Sequence, residues 1–132
     1  MRVSIAVATS VVLAVLTGCA TTKDSVADAS YRLNRSADAF YDEVRHQDRK
    51  GDVEHEARQL ADAASDFRHD VREHHSRDEL RQRFDKVAKE YHDLRDEVGD
   101  HSSSTDRTAF DDVTAAYLDL ERDLEYRHVG SL

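Results

Sequence analysis

From Ser25 onward the apolar residues return at alternating spacings of three and four, the repeat that puts them on one side of an α-helix. A first stripe runs through Val26, Leu33, Ala37, Phe40 and Val44, with Ser30 filling one gap. The second is Val53, Ala57, Leu60, Ala64, Phe67, Val71 and His74; the third is Leu80, Phe84, Val87, Tyr91, Leu94 and Val98; the fourth is Phe110, Val113, Tyr117, Leu120 and Leu124. Charged residues fill most positions in between, the pattern of amphipathic helices packed at shallow angles around a shared core. The spacing predicts helices over 25–50, 52–75, 77–98 and 104–128, and short connections make successive helices antiparallel. The expected fold is all-α: an up-down-up-down four-helix bundle.

Local chemistry suggests where the helices stop. Ser25-Val-Ala-Asp28 and Ser76-Arg-Asp-Glu79 have the form of capping boxes, in which a hydroxyl and a carboxylate satisfy free amides at a helix start. Gly51 before Asp52 suits a C′ glycine followed by an N-cap, and Gly99 to Thr105 reads as a loop. The junction His74-His75-Ser76 has no glycine. One continuous helix there would turn the stripe through about half a circle between Val71 and Leu80, because each residue advances about 100°. A turn at Ser76 lets both apolar faces meet and is the expectation. Reflecting residues through the turns sets Phe67 opposite Phe84, Phe84 opposite Tyr117, and Tyr91 opposite Phe110 or Asp111.

Composition agrees. The chain has 132 residues, suited to one domain, with no Pro, no Trp and four Gly, which disfavours sandwiches and barrels. Nineteen Lys and Arg against 28 Asp and Glu give a net charge of −9, so nucleic acid is not an expected partner.

Residues 1–19 differ from the rest: Arg2 is their only charge, and Ile5 to Val15 is dominated by Ala, Val, Leu and Ile. That run is shorter than the roughly 20 residues needed to span a bilayer and reads as an export signal. It ends in Leu16-Thr17-Gly18-Cys19, which resembles the lipobox of bacterial lipoproteins. The resemblance implies diacylglycerol on the Cys19 sulfur, cleavage after Gly18 and acylation of the new amino terminus. Cys19 is the only cysteine, so no intramolecular disulfide or thiolate metal cluster competes for it. The expected organisation is a signal peptide over 1–18, the lipidated Cys19 with a short tether over 19–24, and the bundle over 25–132. Ala20 stands where lipoproteins of the enterobacterial type retained at the inner membrane carry Asp, which implies an outer-membrane location facing the periplasm. Losing residues 1–18 removes Arg2 and no acid, which moves the charge from −9 to −10.

Histidine is the compositional excess, with eight: 46, 55, 69, 74, 75, 92, 101 and 128. Glu43–His46, Asp52–His55, Asp66–His69 and Glu125–His128 share the i, i+3 spacing of carboxylate-bridged di-metal bundles, but Glu43 and His46 flank their stripe, so a buried centre is not expected. A looser site is the candidate. His74 and His128 continue apolar stripes at the end nearest Cys19, and His75, Glu73 and Glu125 lie nearby in sequence, a donor set that suits zinc, copper or nickel. Full protonation of the histidines would carry the mature charge from −10 toward −2, an alternative use of them as an acid-responsive surface.

The motifs of covalent haem attachment, phosphate-binding Gly-rich loops and the nucleophile elbow are all missing, and no catalytic constellation is evident. The Leu-Thr-x-x-Gln repeats of small periplasmic stress chaperones are missing as well. The expectation is a non-catalytic, lipid-anchored envelope protein with a structural or binding role toward another envelope protein or polymer. A His-rich metal-binding protein is the alternative.

Overall fold

The computed structural model describes residues 21–47, 51–101 and 104–126. Four helices follow in order, α1 (Thr21–His46), α2 (Asp52–Arg72), α3 (Arg77–His101) and α4 (Ser104–Leu124). Each packs against its neighbours in sequence, and α4 closes the ring against α1. This is the predicted four-helix bundle, with no strand among the described residues.

The stripes are the core. Every stripe residue of α1, α3 and α4 is buried, including Ser30, whose hydroxyl donates to the Ala27 carbonyl at 2.8 Å. On α2, Ala57, Leu60, Ala64 and Phe67 are buried, whereas Val53 and Val71 pack only partly against the core and His74 is exposed. Each fully buried large apolar side chain contributes about 1.5–3 kcal/mol by leaving water. Ala29, Ala61, Ala63, Ala88 and Ala116 widen the stripes, as a bundle interior requires more than a two-position seam.

Small and large residues divide the interior between them. Alanines concentrate on α1 and α2, while α3 and α4 approach each other least closely of the neighbouring pairs. Rings fill that wider seam. Tyr91 stacks on Tyr117 with centroids 3.8 Å apart, Phe84 lies 5.5 Å from Tyr117, and Tyr91 lies 5.8 Å from Phe110. Phe67 and Phe40 extend this set into α2 and α1, at 5.5 Å from Phe84 and from Phe110 respectively. The reflected pairs Phe67–Phe84, Phe84–Tyr117 and Tyr91–Phe110 are thus in contact.

Polar contacts fix the register. Arg32 of α1 meets Asp119 of α4 at 2.9 Å, and on the α2–α3 seam Lys86 meets Asp66 at 3.1 Å and Arg83 meets Asp70 at 2.8 Å. Exposed pairs of this kind are worth about 0–1 kcal/mol each, so they select the alignment of helices that the core already holds. Asn34 is buried, and its amide donates to Asp38 at 3.2 Å and accepts from Arg68 at 3.3 Å. The Arg68 guanidinium also lies 4.8 Å from the centre of the Tyr31 ring, which gives that exposed tyrosine a packing role.

Helix ends depart from expectation in places. α1 begins at Thr21, inside the segment assigned to a tether, so Ser25 is a helix-interior residue and not a cap. It ends at His46 instead of 50, where the Gln47 amide turns back to the Val44 carbonyl at 3.3 Å. Gly51 is an extended N-cap of α2 and not a left-handed C′ residue of α1, and Asp52 is the first helical residue. α3 runs on to His101, through Gly99, because this glycine keeps helical backbone within the stretch read as a loop.

The Ser76 box forms as read. The Ser76 amide and hydroxyl both donate to Glu79 Oε2 at 2.8 Å, and the Glu79 amide donates back to Ser76 Oγ at 3.3 Å. The Ser76 amide, then its hydroxyl, hold the Glu79 carboxyl below its ordinary 4.5. A lowered value in the folded state means that the cap stabilises above the ordinary value and is lost as pH falls through the folded one. The stability difference between the parent chain and Glu79→Gln, read by urea titration, is therefore expected to be largest near neutrality and to shrink in acid. A difference that grows in acid would contradict the cap.

Candidate functional site

The end of the bundle that carries the start of α1 also carries the α2–α3 turn and the end of α4, and donor side chains collect there. α2 closes at Glu73, whose amide reaches the His69 carbonyl at 3.1 Å, and the chain then reverses through His74 in the left-handed region, with φ 63°. The His74 amide donates to the Val71 carbonyl at 3.4 Å. This is the position that glycine usually fills after a helix, here occupied by an L-residue at a steric cost. The reversal brings His75 back over the last turn of α2 and lets Ser76 start α3.

His75 lies among carboxylates from both sides of the turn. Its Nε2 is 3.5 Å from Glu73 Oε2, and its Nδ1 is 3.8 Å from Glu79 Oε2. Glu73 also takes His69 Nε2 at 3.1 Å on its other oxygen. Asp70, one turn before Glu73, is half-buried and held by Arg83. One donor atom from each of Asp70, Glu73 and His75 falls within 4.8 Å of the other two. His75 Nε2 is sealed from solvent and makes no hydrogen bond, although the His75 side chain as a whole keeps 23% of its exposure.

Of the expected donors, His75 is in the cluster, His74 is exposed and forms the backbone bend, and Cys19 and His128 lie outside the described residues. Asp70 escapes sequence reading because its spacing to His75 is not helical; only the turn brings the two together. The i, i+3 acid–His pairs go unused among the described residues. His69 pairs with Glu73 four residues later, while Asp66 goes to Lys86 and Glu43 to Gln47.

α4 ends close by in a two-bond cap: the Glu125 amide, at φ 52°, donates to the Arg122 carbonyl, and the Tyr126 amide donates to that of Glu121. Two arginines from the start of α3 complete it. Arg81 Nε donates to the Leu124 carbonyl at 2.7 Å, and Arg77 donates to the Asp123 carbonyl. Positive charge at a helix C-terminus is favourable, and here it also ties α4 to α3. Tyr126 packs edge-on to Phe84 at 5.0 Å and donates to Asp85, and burial followed by that bond pushes its hydroxyl up to about 12.

Two further features bound the chemistry. Glu56, Glu90 and Asp93 gather on the α2–α3 seam, where burial pushes the Glu56 carboxyl up and Lys89 holds Asp93 at 2.7 Å. This group is purely acidic and already carries its counter-ion. Between α1 and α4 an open furrow of about 730 Å³ is floored by small residues such as Ser36, Ala39, Thr108 and Ala115, and the Arg32–Asp119 pair lies at its edge. Neither feature brings a nucleophile, a base and an orienting group together. His92, which sequence reasoning placed only by its end of the bundle, packs against the Tyr91 and Tyr117 rings at 5.3 and 5.9 Å.

Comparison of the chain with protein-family models, with curated proteins and with solved structures gives no match in any of the three.

Proposed function

We propose that this chain is a lipid-anchored envelope lipoprotein whose helical body has a structural or protein-binding role and performs no catalysis. The observation that carries the reading is Leu16-Thr17-Gly18-Cys19 at the end of an apolar run, with the only thiol of the chain at the position that receives lipid. The presence of helix from Thr21 onward, two residues after Cys19 in the sequence, is in keeping with a body held close to the lipid surface. No helix among the described residues is long and apolar enough to cross a membrane. Another envelope protein or polymer is the proposed partner, met at a distance set by the length of the bundle.

Mass spectrometry of the chain extracted from bacterial membranes tests the reading. The expected N-terminal peptide begins at Cys19 and carries diacylglycerol and an amide-linked acyl group. An N-terminal peptide without lipid refutes it. Fractionation of inner from outer membranes tests the outer-membrane assignment drawn from Ala20.

A further inference from the structure

We infer that Asp70, Glu73 and His75 form a binding site for a divalent transition-metal ion at the α2–α3 turn. Three observations converge. The donors are chemically mixed, one imidazole and two carboxylates, a set that suits zinc and its neighbours better than calcium, which takes six to eight oxygens. They come from both sides of a reversal that left-handed backbone at His74 imposes, so the fold and not helical spacing assembles them. His75 Nε2 is withdrawn from water without a hydrogen bond and points toward Glu73 Oε2 at 3.5 Å, which leaves a buried polar atom that a cation between the two would satisfy.

The surroundings supply what such a site needs. On the other side of the His75 ring, Glu79 Oε2 stands 3.8 Å from Nδ1 and is itself fixed by the Ser76 amide and hydroxyl. At 3.8 Å this carboxylate is beyond hydrogen-bond reach of Nδ1, and a small ring rotation toward it would favour the tautomer that leaves Nε2 free to bind metal. Arg83 holds Asp70 Oδ1 at 2.8 Å, so a metal ion would take the other carboxylate oxygen or displace the guanidinium. Around a tetrahedral zinc ion with bonds of about 2.0–2.2 Å, ligand atoms lie roughly 3.4 Å apart, so the present separations of up to 4.8 Å must close by up to about 1.4 Å. Rotations of the exposed Glu73 and half-buried Asp70 side chains are the movements that would close them. Three protein donors leave one position of a tetrahedral ion open to water or to an external ligand. The inference stands on the turn alone and does not depend on the lipid anchor.

Zinc titration of the full chain in detergent micelles, followed by calorimetry, tests it. The expected result is saturable binding of one equivalent, weakened at least about tenfold by His75→Ala and by Glu73→Gln and unchanged by His55→Ala, which lies at the other end of α2. Circular dichroism establishes that each variant keeps its helices. Glu73→Gln preserves shape and decides the matter if His75→Ala does not fold. In the parent chain, zinc is also expected to shift the His75 ring resonances in nitrogen-edited spectra. Absence of saturable binding, or affinity that survives Glu73→Gln to within less than tenfold, overturns the site.

Discussion

Replacing Phe84 by alanine is expected to remove about 3–5 kcal/mol of folding stability, the largest loss of any single truncation in this core. Phe84 is fully buried and joins three parts of the chain: its ring lies 5.5 Å from Phe67 of α2, 5.5 Å from Tyr117 of α4 and 5.0 Å from Tyr126 beyond α4. Truncation leaves a hole walled by rings, which rotate and settle less readily than aliphatic chains. The surrounding structure therefore recovers little of the lost contact. It also removes the surface on which Tyr126 rests, and with it part of the closure of α4 by its terminal cap. Domains of this size are stable by about 5–15 kcal/mol, so the loss should move the urea midpoint sharply downward, with the slope of the transition unchanged. Urea denaturation followed at the helical band measures it, with Leu118→Ala as the reference, since Leu118 is 53% exposed and its loss should cost within about 0.5 kcal/mol. Similar losses for the two variants would mean that the aromatic seam does not hold the bundle together.

The importance of Phe84 is visible in the amino-acid pattern, and so are its partners Phe67 and Tyr117, because a repeat of three and four identifies a helix face and antiparallel turns identify what faces it. What the pattern cannot carry is anything that depends on a single backbone angle or on a distant cap. α1 extends back to Thr21 because Thr21-Thr22-Lys23-Asp24 contains no breaker, so a serine with capping chemistry at position 25 is absorbed into the helix. α2 ends where it does because His74 takes a left-handed backbone conformation, uncommon outside glycine although histidine adopts it more readily than most residues. α4 ends at Leu124, short of 128, under the hold of Arg77 and Arg81, which are more than forty residues away. The same limit applies to the donor cluster. His75 and Glu73 stand out as neighbours in sequence, but Asp70 joins them only once the turn is known, and the bend at His74 shows only in its backbone angle.

Cys19→Ala is expected to abolish stable membrane attachment. One acyl chain gives only marginal, reversible binding, with an association constant of about 10⁴ M⁻¹, whereas two or more hold a protein on the bilayer for long periods, each buried methylene adding about 0.8 kcal/mol. The proposed thioether-linked diacylglycerol together with an amide-linked chain would place this protein in the second regime. Alanine offers no sulfur to the transfer reaction, and without the lipid the cleavage after Gly18 is expected to fail too, so the variant should keep Met1 to Gly18. That retained run of about a dozen apolar residues is too short to span a bilayer, for which roughly 20 are needed, and should come away under alkaline washing that leaves the parent chain in the membrane. The bundle itself is expected to keep its fold, since the buried core among the described residues runs from Val26 to Leu124. Position is what should be lost. With α1 starting at Thr21, its 26 residues at about 1.5 Å each make a rod of roughly 40 Å, so an anchored bundle reaches a partner at that height while the His75 turn lies at the lipid end. Crosslinks to a fixed envelope partner should therefore disappear in Cys19→Ala although helicity and urea stability persist. A variant that resists alkaline extraction without bearing any acyl mass would show that something other than lipid on Cys19 holds the chain in place.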